Sequence, residues 1–247
     1  MTLTYPPARR GGVVDLHHGR EIADPYRWLE DLDSNETADF VAAQNAVSGP
    51  YLAGLPDRAG LIERMTELWD IPRTEPPQVR GEDADRVMVW SHNDGLADQP
   101  IYWVQHGAAE PIVLLDPNTL SDDGAVAVVG SALSDDGRLF AYLLAEAGSD
   151  RQQLAIRRTD NGEDLADQLD HLRFTSIAWL GDGFFYVRWP ETEPGSTAPV
   201  MDPSVHYHRI GTEQADDPLI FHNDDDPEPI YMVCLLYTSD AADEGHC

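Results

Sequence analysis

The chain has 247 residues, of which 42% are hydrophobic, so it is long enough for one large globular domain or two ordinary ones. It carries 16 Lys+Arg against 45 Asp+Glu, all 16 basic residues are arginines, and the resulting formal charge of -29 argues against nucleic acid and anionic membranes as partners. No apolar run reaches the roughly 20 residues of a membrane span and the N-terminus lacks a signal-peptide core, so a cytoplasmic location is expected.

The first 75 or so residues show helical periodicity. Asp33 or Ser34 is a suitable N-cap for a first helix, and its apolar pattern runs to Gly49-Pro50, where an end is predicted. A second helix is predicted from about Pro56 to Trp69. Its apolar stripe, which we call the α2 stripe, is predicted to lie in a core rather than to contact a cofactor. The α2 stripe consists of Leu61, Ile62, Met65, Leu68 and Trp69.

Residues 70–85 are rich in proline and charge and form a natural domain boundary. Beyond them the period changes from helical to two, because short runs rich in Val, Ile, Tyr, Phe and Trp alternate with turn residues. A strand, an Asn93-Asp94-Gly95 turn and a second strand are predicted within residues 85–107. Further strands are predicted at 111–115, 125–133, 139–145, 154–158, 174–180, 184–189, 205–210 and 219–222.

The tetrapeptide Ser-Asp-Asp-Gly occurs at residues 121–124 and again at 134–137. Asp136-Gly137 is matched 46 residues later by Asp182-Gly183, and a period of about 40–50 residues with four short strands is typical of propeller blades. These segments lack the ligand register of a calcium loop and the base that a nucleophilic serine needs. We therefore interpret them as tight turns, in which Gly supplies a positive φ.

The histidines give no complete metal site. Adjacent His17 and His18 would point to opposite faces of a strand. His206 and His208 would share a face, but a third ligand at useful spacing is missing, so zinc stays an alternative without a full ligand set. No nucleophile elbow, Walker loop or dinucleotide fingerprint occurs. The sequence thus offers no catalytic residue, no metal site and no cofactor-binding motif.

The last residues are interpreted as foreign to the gene. Residues 234–244, "CLLYTSDAADE", correspond letter for letter to one reading frame of a widely used transposase sequencing adapter. We therefore treat residues 234–247, which contain both cysteines, as a sequencing artefact and exclude them from fold reasoning. Sequencing this region from the source DNA tests the interpretation, and a native frame that retains these letters would contradict it.

Several stretches resemble the prolyl oligopeptidase family of serine peptidases and follow in the family's order. The resemblance extends over residues 5–233. The stretches are "ADPYRWLED" (23–31), "FVAAQN" (40–45), "ERMTELWDIP" (63–72), "LDPNTLSDDGAVAV" (115–128), "SDDGRLFAY" (134–142) and "GSD" (148–150). The first is shared with the related oligopeptidase B, whereas the third and fourth look specifically like prolyl oligopeptidase.

The resemblance implies a two-domain enzyme, in which an α/β-hydrolase domain carries a Ser-Asp-His triad and a seven-bladed propeller restricts access to short peptides. Residues 1–75 would be the N-terminal helical segment that packs on the hydrolase domain. Residues 76–233 would form about three of the seven blades, so the expected fold is mainly β. The triad would lie beyond residue 233. The expected partners are short proline-containing peptides and the missing hydrolase domain.

Two residues match positions at which the family contacts the substrate residues preceding the proline. They are Phe174, in "HLRFTSIAW", and Met232, in "EPIYM". An aromatic residue near the start of a strand also suits blade core, which is the alternative for Phe174. The alternative for the whole chain is a non-catalytic propeller that acts as a binding module. Such a module would leave the α2 stripe without a partner.

Overall fold

A computed structural model describes residues 3–122, 124–191 and 200–235 of the chain. Asp123 of the first Ser-Asp-Asp-Gly copy and most of the suspected adapter segment lie outside these ranges. The chain divides into two compact units, the first holding residues 3–68 and the second the remaining described residues. No helix in the described ranges is long and apolar enough to cross a membrane.

The first unit consists of a hairpin and helices. Strands β1 (Val14–His17) and β2 (Arg20–Ala23) pair antiparallel around a His18-Gly19 turn. Helix α1 covers Asn35–Ala53, and the Ser34 side chain caps it by accepting from the Thr37 backbone N–H at 3.2 Å. Helix α2 covers Arg58–Trp69.

One expectation for these helices was wrong, and the other depends on a partner outside the described chain. Helix α1 does not end at Gly49-Pro50 but runs to Ala53, because proline's fixed φ is helical and the helix loses only the backbone bond that Pro50 cannot donate. The Gly54 N–H still reaches the Pro50 carbonyl at 3.0 Å. The α2 stripe is not core within the described chain, since its side chains are 46 to 67% exposed.

The second unit starts with one antiparallel sheet, the first blade. Its strand order is β3-β5-β6-β7, and β4 also pairs with β5. Strand β5 alternates between buried and half-buried residues, which confirms the predicted period of two. The strands are β3 (Arg73–Thr74), β4 (Gln78–Arg80), β5 (Val87–Asn93), β6 (Ile101–His106) and β7 (Ile112–Leu115).

Two further antiparallel blades follow, and a single residue pair, Leu172 with Arg188, joins their sheets. The second blade comprises β8 (Val126–Leu133), β9 (Leu139–Glu146), β10 (Gln152–Arg158) and β11 (Asp164–Leu172). The third comprises β12 (Ala178–Leu180), β13 (Gly183–Arg188), β14 (Ser204–Arg209) and β15 (Leu219–Phe221). The sequence pattern missed β11, and the strand predicted from residue 174 begins only at Ala178.

The core lies between neighbouring blades. Phe140 and Tyr142 of β9 pack against the first blade, whereas the alternate residues Ala141 and Leu143 join the core shared with the third blade. Side-chain hydrogen bonds cross the same interfaces. The Trp179 indole N–H donates to the Ala132 carbonyl at 3.1 Å, and Gln78 Oε1 accepts from the Leu133 N–H at 2.7 Å. Each blade therefore buries one face against the next, as in repeat proteins.

The Ser-Asp-Asp-Gly turn at residues 134–137 is structural. Ser134 Oγ donates to Asp136 Oδ1 at 2.8 Å and accepts from the Leu139 N–H at 2.9 Å, and Gly137 has φ +72°. The turn 46 residues later differs. Its positive φ is at Gly181, whereas Gly183 begins β13, where an added Cβ would collide with the His208 carbonyl oxygen. The repeated Asp-Gly pairs thus lie in corresponding turns, but Gly137 supplies a positive φ whereas Gly183 allows the close approach of a neighbouring strand.

Candidate functional site

Phe174 lies in the loop 173–177 between β11 and β12 and projects from the third blade. Its side chain is 54% exposed, so the blade-core alternative is wrong. Its φ of +47° places a bulky residue in the left-handed region, which is uncommon for a residue other than glycine and costs conformational energy. The ring meets Trp189 edge to face, with ring centroids 6.3 Å apart. An exposed aromatic ring on a strained backbone is suited to contacting a ligand.

Buried contacts hold the Phe174 loop in place. The Trp189 indole N–H donates to the Arg173 carbonyl at 2.7 Å, and Thr175 Oγ1 accepts from the Val187 N–H at 2.8 Å. The largely buried Arg173 side chain forms an ion pair with Asp150, whose Oδ2 lies 2.6 Å from Nη1. Asp150 belongs to the "GSD" stretch of the family resemblance, so that stretch anchors the loop. These contacts offset the strain at Phe174.

Met232 lies on the segment after β15 and is 84% exposed. Two hydrogen bonds join this segment to the Phe174 loop. Ser176 Oγ donates to the Val233 carbonyl at 2.8 Å and accepts from the Val233 N–H at 3.0 Å. The structure therefore brings the segments of both predicted site residues together, although 57 residues separate Ser176 from Val233.

The two histidines considered for zinc are bound by protein groups. His208 is 1% exposed, and its Nδ1 and Nε2 lie 3.0 Å from Asp217 Oδ1 and 3.2 Å from Asp167 Oδ1. The Tyr186 hydroxyl donates to Asp217 Oδ2 at 2.8 Å, and burial raises the pKa of Tyr186. Sequence reasoning missed this network because its members lie on three separate strands and loops. The network joins β11 of the second blade to β13 and β14 of the third.

A similar cluster links the second blade to the first. Arg157 binds Asp164 through two hydrogen bonds of 2.7 and 2.8 Å and donates to the Leu114 carbonyl at 2.9 Å. The Tyr142 hydroxyl donates to Asp164, and burial raises the pKa of Tyr142 to about 12. In the described ranges, no group of three His, Cys, Asp or Glu side chains is placed to bind a metal ion.

Comparison with known families accounts for this combination of a helical segment and three blades. Residues 5–241 match the family described as "Prolyl oligopeptidase, N-terminal beta-propeller domain". The chain belongs to this family. The resemblance inferred from the short sequence stretches is thereby confirmed, as is the mainly β, partial-propeller fold.

Relatives and solved structures agree with the assignment. The prolyl endopeptidase of Elizabethkingia meningoseptica is 32% identical over 228 residues, which cover 91% of this chain and 32% of that protein. A solved prolyl endopeptidase superposes with a TM-score of 0.78 at 30% identity, over 90% of this chain and 33% of its own. The structure of prolyl oligopeptidase B from Galerina marginata, bound to a 25mer macrocyclization substrate, superposes with a TM-score of 0.78 at 26% identity. The match covers 93% of this chain and 35% of that one. The chain thus spans about a third of the length of these proteins.

Proposed function

We propose that this chain is the N-terminal and propeller part of a serine endopeptidase that cleaves short peptides on the carboxyl side of proline. Family membership and the prolyl endopeptidase relatives support this reaction class. The observation that carries the assignment of the substrate face is the pair of hydrogen bonds between Ser176 and Val233, which joins the loop of Phe174 to the segment of Met232. The enzyme is proposed to be cytoplasmic.

In this proposal the chemistry belongs to a hydrolase domain encoded beyond residue 233. A serine there attacks the carbonyl carbon of the proline, a histidine takes the serine proton and passes it to the leaving amine, and an aspartate orients the histidine. Water then hydrolyses the acyl-serine bond, which releases the peptide acid and restores the serine. Hydrogen-bond donors stabilise the oxyanion. The propeller residues bind the part of the peptide that precedes the proline, and the blades exclude larger chains from the site.

The α2 stripe favours this proposal over a non-catalytic binding propeller. All five of its side chains are at least 46% exposed, and Met65 and Trp69 reach 67 and 66%. Contiguous exposed apolar surface of this kind marks an interaction site. A self-sufficient binding module has no use for such a surface, whereas a helical segment that packs on a hydrolase domain requires it.

The test uses the complete enzyme recovered from the source DNA and, beside it, the 247-residue chain. We expect the complete enzyme to cleave a short peptide after proline, to spare the same peptide with alanine at that position, and to be inactivated by a fluorophosphonate that labels one serine. Cleavage that does not depend on proline would contradict the proposed specificity.

The 247-residue chain is expected to show no turnover, because the proposed Ser-Asp-His triad belongs to the hydrolase domain. We also expect it to associate into soluble oligomers. The α2 stripe and the open faces of the outer blades drive association, whereas the charge of -29 opposes precipitation. A sharp cooperative melt from a monomer in size-exclusion chromatography, or turnover above a buffer blank, would refute this part of the proposal.

A further inference from the structure

The third blade contains a cavity of about 230 Å³ next to the Phe174 loop. Trp189, whose other edge meets Phe174, forms part of its wall together with Pro190. The polar residues that line it are Arg188, Asp202, Ser204, His206 and His222. None of these residues belongs to the stretches that carry the family resemblance.

The register of two strands places three of these polar residues on one face. Arg188 lies opposite Ser204, Tyr186 opposite His206, and Phe184 opposite His208 in the pairing of β13 with β14. Because alternate residues share a face, this face is apolar and buried at Phe184 and becomes polar at its other end. The cavity thus lies at the polar end of the blade core, where Arg188, Ser204 and His206 line it.

Among the polar residues that line the cavity, Arg188 is the one with a permanent positive charge. Arg157, Arg173 and Arg209 in the same unit each have a carboxylate partner. The Arg188 guanidinium has no hydrogen bond or ion pair with any residue that the structure describes, in a chain with 45 acidic residues. Its charge lies close enough to His206 to contribute, after burial, to a lowered pKa of that imidazole. Arg188 is therefore a cation of this cavity without a counter-charge among the residues that the structure describes.

The neighbouring groups are already arranged around this cation. His206 donates from Nδ1 to the Asp217 carbonyl at 3.3 Å, which leaves Nε2 to accept from Ser204 Oγ at 3.0 Å and holds the hydroxyl at the cavity wall. His222 binds Asp202 at 2.7 Å and Asp224 at 2.9 Å, and these carboxylates raise its pKa. His222 thus has two carboxylate partners, whereas Arg188 has none among the described residues.

We propose that this cavity binds the free carboxylate of a short peptide, with the Arg188 guanidinium as its partner. A guanidinium matches a carboxylate through two parallel hydrogen bonds. A dianionic phosphate suits the cavity less well, because the Asp202 carboxylate is part of its lining and would repel a second negative charge. Trp189 and Pro190 offer an apolar wall to the residue that bears the carboxylate. The peptide nature of the ligand rests on the proposed function.

The experiment measures binding of N-acetyl-alanyl-proline and of its C-terminal amide to the 247-residue chain by ligand-observed NMR titration. We expect the acid to bind roughly tenfold more tightly than the amide, the gain typical of a charge-assisted hydrogen bond. Arg188→Gln should abolish this preference. Arg209→Gln is the matched control, because Arg209 is an exposed arginine on the neighbouring strand and lies outside the cavity. It should keep the preference.

Equal binding of acid and amide by the unsubstituted chain would overturn the proposal, as would a preference that survives Arg188→Gln. Inorganic phosphate that displaces the acid at equal concentration would overturn the choice of a carboxylate. Circular dichroism of each variant tests its fold, and Arg188→Lys, which keeps the charge but loses the planar fork, should give an intermediate preference if Arg188→Gln misfolds. Failure of the complete enzyme to cleave after proline, with the acid preference intact, would refute the proposed function and leave this site standing.

Discussion

The second blade and helix α2 both carry a regular apolar pattern, but only the blade finds its partners within the described chain. Phe140 and Ala141 of β9 are fully buried on opposite sides of one strand, against the first and third blades. Helix α2 has no buried residue. Periodicity thus predicts the type of element and its apolar face, but what covers that face depends on the rest of the fold.

The largest expected effect comes from one substitution made in both regions. Leu154→Ala in β10 removes a side chain that is 1% exposed, and we expect it to lower the free energy of unfolding by about 2–5 kcal/mol. Leu61→Ala in α2, where the side chain is 62% exposed, should change it by less than about 0.5 kcal/mol, because little burial is lost and alanine favours helix. Urea unfolding followed by tryptophan fluorescence measures both free energies. Equal effects would contradict the claim that the blade is packed within the chain and helix α2 is not.

A smaller effect is expected from the two positive-φ glycines of corresponding turns. At Gly137, with φ +72°, a Cβ would lie 2.9 Å from Val87 Cγ2 of the first blade. At Gly181, with φ +63°, no atom lies within 4 Å of the added Cβ. Gly181→Val should therefore cost roughly 1 kcal/mol from backbone strain alone, and Gly137→Val about 1–3 kcal/mol more from overpacking.

Thermal melting of both glycine variants measures this difference. Equal melting temperatures would show that the contact between blades does not add to the strain. In the complete enzyme, Gly137→Val should leave kcat unchanged. Lost activity with an unchanged melting temperature would instead reveal a functional role for this turn.

The strands were mostly predictable because their side chains alternate in burial, as in β5. Strand β11 was missed because Asp164, Asp167 and Asp170 interrupt the apolar pattern. All three have partners that a local pattern does not contain. Asp164 binds Arg157 and Asp170 binds Gln153 on the neighbouring strand, and Asp167 binds His208 of the third blade. A strand aspartate whose partner lies on another strand therefore has the same sequence pattern as an exposed loop residue.

The candidate site was predictable in part. The family resemblance suggested Phe174 and Met232. It did not predict that both side chains are exposed, that Phe174 has a positive φ, or that Ser176 and Val233 are hydrogen-bonded. A hydrogen bond between residues 57 positions apart depends on how β12 to β15 pack together, and no local sequence pattern reveals that packing. Arg188 was also overlooked, because the absence of a counter-charge is a property of the folded chain.

The smallest expected effect is a pH dependence of opposite sign at two histidines of the third blade. Burial lowers the pKa of His206 from its usual 6.5, so the unfolded state binds the proton more readily and stability falls as pH falls below about 6.5. The hydrogen bond to Asp202 raises the pKa of His222, so its contribution is present below about 6.5 and is lost as pH rises through its folded-state pKa. His206→Gln should flatten the acid side of the stability profile and His222→Gln the side above 6.5. Melting temperatures between pH 5 and 8 measure both, and identical profiles for the two variants would contradict the assignment.

The most direct test of the account compares Phe174→Ala with Phe185→Ala in the complete enzyme, by kcat/KM on a short proline substrate and on one extended by two residues before the proline. Phe185 is a matched aromatic residue of the same blade whose ring packs on Tyr207, 5.1 Å away. We predict that Phe174→Ala lowers kcat/KM for the extended substrate by roughly tenfold more than for the short one, as expected for the loss of one aromatic contact. Phe185→Ala should leave the ratio unchanged. If Phe174→Ala lowers both values equally, the loop does not contact the substrate and the central claim is wrong.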